Sequence, residues 1–178
     1  MDEVGKILEK FGVERKTTSL SFPEIAIDSA RTDYIKAQMT RSLEIVELSG
    51  QRARREVLIA PLLLNASRLT RSRLSYIAGE GYSDEQADYL IEGRQRLLVK
   101  VDDDLAEGFS QLCIRMIALA ERDSIQKSTY GAVTVGEVWQ FGIFDSQKQQ
   151  MTQDISLYNI PEDVDRLLPI LVGILNKA

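Results

Sequence analysis

The chain of 178 residues contains no histidine and a single cysteine, Cys113. Without imidazole there is no Ser-His-Asp triad, no Cys-His pair, no His-ligated zinc and no His general base. One thiol also excludes thiolate zinc sites and a disulfide framework, both of which need several cysteines at defined spacings. A third absence is any run of the roughly 18 to 20 uncharged apolar residues that crosses a bilayer. The opening MDEVGKILEKFG carries acids where a secretory leader carries bases. A cytoplasmic protein with no membrane partner is therefore expected, and the lone thiol agrees with a reducing compartment. Any chemistry must rest on Asp, Glu, Lys, Ser or Tyr.

What is present is an ordinary globular balance, 44% hydrophobic and 28% charged, on a length suited to one core. One domain over residues 1–178 is expected, with an N-terminal helix and linker over 1–30 and the core over 31–178. The net charge of −5 argues against broad phosphate binding while leaving room for a local basic face.

Val4, Ile7, Leu8 and Phe11 recur at helical spacing and are followed by Gly12, a C-terminal signal. Val13 to Ser21 reads as a polar linker. Phe22 to Ile27, with Pro23, reads as an apolar patch docked on the core without regular structure. Ile35, Met39, Leu43 and Val46 predict a helix over about 32–48 that ends at Gly50. Arg52 to Leu69 is helix-like, with a basic start and the run VLIAPLLL, which Pro61 must kink or divide. Strands are predicted around 74–78, 87–91, 97–101, 130–133 and 138–144, with a possible short edge strand at 155–158. Leu105, Phe109, Leu112, Cys113, Met116 and Ile117 mark a helix over 104–122 between the third and fourth of these. The last helix has Asn159 as an N-cap candidate and Pro161 near its first position. This order predicts an α/β fold with a mixed central sheet flanked by helices.

The residues then make a resemblance specific. RREVLIAPLLL, ADYLI, LLVKVDDDLAEGFSQLCIRMIALAE and YGAVTVGEVWQFGIF occur in that order over about residues 52 to 177. Together they resemble the small restriction-endonuclease-like proteins of the PD-(D/E)XK superfamily that are abundant in cyanobacteria. The resemblance implies a restriction-endonuclease-like core, to which the preceding residues add extra N-terminal helices, and DNA, another protein or a second copy of the chain as partners. In that superfamily a helix acid, a strand aspartate and a Glu-x-Lys surround one or two divalent cations, Mg²⁺ in the usual case. The metal activates water and the lysine stabilises developing negative charge. Carried over, Glu56 matches the helix acid and Asp88 the strand aspartate, which makes them the metal pair. Gln111 matches a glutamine of the crossover helix near the metal.

The third element departs from the pattern. Val99 and Val101 stand where the Glu and Lys belong, with Lys100 between them. Neighbours on a strand point to opposite faces, so a cleft that receives the valines does not receive Lys100. A register shifted by one residue would present Lys100 together with Asp102, acid and base then standing in reversed order. The resemblance therefore implies a nuclease fold whose reaction has decayed and which acts in binding or regulation. The alternative is a Mg²⁺-dependent DNA endonuclease whose site has migrated to other residues.

Each candidate also has an ordinary explanation. Asp88 reads as a strand carboxylate satisfied by backbone or arginine, and Glu56 as an i,i+4 partner among arginines. Lys100 is expected to face solvent. Asp102, Asp103 and Asp104 have the composition of a helix start, and Gln111 that of a polar boundary residue. Arg52, Arg54, Arg55, Arg68, Arg71 and Arg73 form the one dense cationic stretch. They either track a phosphate backbone, Arg52, Arg54 and Arg55 first, or solvate a helix face and pair with acids. Trp139 and Phe141 alternate with Gln140 and share the buried face of a strand.

Overall fold

In the computed structural model, residues 2–77, 88–122 and 128–178 are described. Helix α1 (Glu3–Lys10) starts on Asp2, whose carboxylate accepts the Gly5 N–H at 3.0 Å, and turns Val4 and Leu8 inward. Gly12 ends it at φ 67°, a left-handed backbone that glycine adopts without strain. The following segment is not the expected linker: Glu14–Thr18 is strand β1, paired in parallel with β7 (Gln150–Asp154). Its sequence ERKTT has no apolar residue, as suits a sheet edge that one face of the protein leaves in water. Phe22 does dock on the core, its ring 4.9 Å from that of Phe141. Helix α2 (Ser29–Leu43) is capped by Asp28 and stops short of the predicted end. Past Leu43, Ile45 is 85% exposed and has no core to pack on.

Residues 51–70 form one helical run in three parts: α3 (Gln51–Arg54), a π-helical turn (Arg55–Ile59) and α4 (Ala60–Thr70). Pro61 is the physical reason. It has no N–H for the Val57 carbonyl and its ring crowds that oxygen, so the ladder slips by one residue and Ala60 N–H donates to Arg55 O.

Strands β2 (Arg73–Ile77), β3 (Asp88–Glu92) and β4 (Arg96–Val101) form an antiparallel meander. Helix α5 (Leu105–Arg122) crosses over to β5 (Ser128–Thr134), which pairs in parallel with β4. β6 (Val138–Asp145) pairs with β5 on one side and with β7 and the short β8 (Tyr158–Asn159) on the other. Among the described residues the result is a mixed sheet of eight strands, seven in the order β1-β7-β6-β5-β4-β3-β2 and β8 off this path beside β6. Of the short edge strand expected at 155–158 only Tyr158 lies in a strand, β8; residues 155–157 are a connection, and β7, inside the sheet, was not expected. Helix α6 (Val164–Asn176) starts after Asp163, so Pro161 precedes the helix instead of opening it.

The sheet divides the interior in two. On one face Leu97, Val99, Val101, Trp139 and Phe141 meet α2, the π turn, α4 and α6. On the other, Leu98, Val133, Phe144 and Met151 meet α1 and α5. The N-terminal residues thus belong to the core packing, through Val4, Leu8, Val13 and Phe22. No described helix is long and apolar enough to cross a membrane.

Candidate functional site

β4 alternates as a strand must, and the alternation decides which side chain reaches which layer. Val99 and Val101 go to the α4–α6 face, so Lys100 goes to the α5 face, where it is only 6% exposed. The expectation of a solvent-facing lysine is overturned, because that side of the strand carries carboxylates that accept the ammonium. The register pairs Tyr89 with Val99, which sets Asp88 across from Lys100. Lys100 Nζ stands 3.5 Å from Asp88 Oδ1 and 3.7 Å from Asp102 Oδ2. Arg115, from α5, brings its Nε to 2.7 Å from Asp88 Oδ2. Two carboxylates and two cations alternate around a point at the end of the β3–β4 pair.

Asp88 is fully buried. Burial pushes its carboxyl above the ordinary value of 3.8, opposed in order by Lys100, Arg115, the Val101 N–H and Arg55. Asp102 serves two structures at once. Its Oδ1 accepts the N–H groups of Asp103 (2.8 Å) and Asp104 (3.3 Å) as the chain enters α5, while Oδ2 faces Lys100. Asp104 Oδ1 in turn accepts the Glu107 N–H at 2.9 Å. The acidic triplet therefore opens the helix, as its composition suggests, and lends one carboxylate oxygen to the buried cluster. Gly108 makes this possible, since a Cβ there would lie 2.7 Å from both Asp102 Cβ and Val133 Cγ2.

The other sequence candidates lie elsewhere. Glu56, in the π turn, is exposed and pairs with Arg52 at 3.1 Å across one helical turn. It lines a groove with Met39 and Val46 on the α2 side of the sheet, so it does not meet Asp88. Gln111 is half-buried on α5, one turn before Arg115. Arg54 bridges Asp103 (3.2 Å) and Glu137 (3.5 Å), and Arg55 is buried with its guanidinium 5.5 Å from the Tyr89 ring centre. The basic start of this helix is thus engaged within the protein. Sequence reading missed Arg115; it set Asp102 beside Lys100 only as the alternative register, and that is the pair the structure forms. The signal for Arg115 was its place four residues after Gln111, on the same stripe of α5.

The donor set does not fit a divalent cation. Asp88 and Asp102 face each other across an ammonium, Glu56 is on the other side of the sheet, and no group of three or more metal-ligating side chains occurs among the described residues. Nor does Cys113 offer a nucleophile: it is fully buried in the α5 interface, and burial pushes its thiol up to about 12. Comparison of the chain with family models, with curated proteins and with solved structures gives no match in any of the three.

Proposed function

We propose that the chain is a catalytically inactive protein on a restriction-endonuclease-like core, which acts by binding. The order α4, three meandering strands, crossover helix α5 and a parallel fourth strand supports the core. The observation that carries the functional reading is the lysine between two aspartates. In the Glu-x-Lys pattern the residue facing the strand aspartate is an acid and the one two positions on is a base. Here Lys100 faces Asp88 and Asp102 follows, so the order is reversed. An incoming divalent cation would meet an ammonium where the pattern supplies a carboxylate. At a spacing near 4 Å that exchange of charge costs on the order of 10 kcal/mol in a partly screened site.

Incubation of the purified protein with Mg²⁺ or Mn²⁺ and supercoiled plasmid tests this reading. The plasmid is expected to stay supercoiled; cleavage that disappears in Asp88→Ala overturns it. A second reading has one observation in its favour, the convergence of Asp88, Lys100 and Asp102 on one point. It is a Mg²⁺-dependent DNA endonuclease with a rearranged centre, and it requires the cleavage that the first reading forbids.

A further inference from the structure

The arginines of this acidic chain are used unevenly. Arg15, Arg54, Arg115 and Arg166 have carboxylate partners. Arg68, Arg71, Arg73 and Arg94 are exposed, and none of them forms an ion pair with the described residues. Those four come together at one corner of the fold. α4 ends at Arg71, whose φ of 55° turns the chain so that β2 begins two residues later, at Arg73. Arg68 lies in the last turn of the same helix. Ser72, between Arg71 and Arg73, abuts the β3–β4 turn so closely that a Cβ on Gly93 would stand 2.6 Å from its Oγ and 2.6 Å from Leu175 O. Arg94 follows, its N–H donating to Leu175 O at 2.9 Å. Two helix ends, the start of the edge strand and a hairpin turn therefore meet where the four arginines emerge.

Internal compensation falls short of this charge. The C-termini of α4 and α6 both finish here, and their dipoles supply roughly half a negative charge each. Glu92, the cross-strand neighbour of Arg73, has its carboxylate on Arg96 at 3.5 Å. About three positive charges stay uncompensated by the described residues in a protein whose net charge is −5. Such crowding of like charge costs stability unless an external anion uses it.

We infer that this corner binds the phosphodiester backbone of a nucleic acid, without reading its sequence. All four groups are guanidinium forks, which match two phosphate oxygens at once where an ammonium offers a point charge. They rise from three short segments, the end of α4, the start of β2 and the β3–β4 turn, whose backbones are held against one another. The inference rests on reading the chain as a binding protein and supplies its partner. The corner is separate from the buried cluster: Arg73 and Glu92 mark one end of the β2–β3 pair, Ile77 and Asp88 the other.

Fluorescence anisotropy with a short labelled DNA duplex, over a series of NaCl concentrations, tests it. Wild type is expected to bind with a log–log salt slope of roughly −3, as three or four phosphate contacts dictate. The triple variant Arg68→Glu/Arg73→Glu/Arg94→Glu is expected to lose at least about tenfold in affinity and most of that slope. A control with the same charge change elsewhere, Lys6→Glu/Lys10→Glu/Arg41→Glu, is expected to lose less than about threefold, since only the long-range field is altered. If the triple variant does not fold, Arg94→Glu alone is expected to reduce the slope by about one. Absence of duplex binding by wild type at low salt overturns the inference, as do equal losses in the two triple variants. Competition by polyglutamate as effective as that by duplex also overturns it, and points to an acidic protein. Binding combined with plasmid cleavage would remove the inactive reading and leave the corner standing; no binding and no cleavage would do the reverse.

Discussion

Lys100 and Asp88 face each other across neighbouring antiparallel strands, ammonium to carboxylate at 3.5 Å, with the lysine 6% exposed and the aspartate fully enclosed. Lys100 leads the forces that keep the Asp88 carboxylate charged against its burial. Removing one partner of such a pair costs about 3 kcal/mol, while removing both is often close to neutral. Lys100→Met is therefore expected to destabilise the fold by about that amount in urea unfolding, and Asp88→Asn added to it should restore most of the loss. Simple additivity of the two changes would show that the pair is not coupled.

Charge reversal at the same position probes the cation that the cluster holds. Lys100→Glu sets a third carboxylate between Asp88 and Asp102, which is enough for a hard divalent ion that fills its shell with water. Millimolar Mn²⁺ is expected to raise the melting temperature of Lys100→Glu by roughly 5 °C and to leave wild type unchanged. A matching rise in wild type would mean that the ammonium does not block the position.

The raised pKa of Asp88 gives stability a pH dependence of known sign. Between 3.8, its value in the unfolded chain, and the higher value in the fold, the folded state binds more protons than the unfolded one. Stability due to this group is thus complete below 3.8 and declines as pH rises through the folded value. Asp88→Asn cannot titrate. Urea midpoints taken between acid and neutral pH should show wild type losing ground to Asp88→Asn as pH rises, then running parallel. A gap that moves the other way would show that Lys100 and Arg115 outweigh desolvation.

Gly173, in the middle of α6, touches the segment that holds Phe22. A Cβ there would fall on the Pro23 carbonyl and 2.8 Å from Glu24 N, just where Ile25 N–H donates to Pro169 O at 3.2 Å. Helix propensity favours alanine over glycine by about 1 kcal/mol. Overpacking against backbone costs about 1–3 kcal/mol and cannot be relieved by a side-chain rotation. Gly173→Ala is expected to lose about 1 kcal/mol net in thermal or urea unfolding; a gain in stability would show that residues 22–25 shift freely.

Most helices and the central strands were legible from period alone, because their apolar positions face one layer each: α1, α5 and β3 to β6 fall close to the predicted ranges. β1 and β7 were not, since ERKTT and QMTQD carry only one apolar residue between them, Met151. β1 owes its strand character to β7, 136 residues away at Glu14 and Gln150, which no local pattern records, while β7 is held on its other side by β6. The candidate site was legible in its residue types but not in its face. Alternation shows that Lys100 and Val99 part company; it does not say which layer will accept an ammonium. That depended on Asp102 and Arg115, brought in by a helix start and a helix face that follow in sequence.

The parallel contact of β1 with β7 also constrains how the chain is made. During synthesis β1 stays without its partner until the 136 residues from Glu14 to Gln150 have been translated and have left the ribosome. Closing a loop of that length costs more entropy than forming the local pairings of the meander, α5 and β6. The polar composition of Glu14–Thr18 then has a second use: a waiting strand without apolar side chains is a poor template for aggregation.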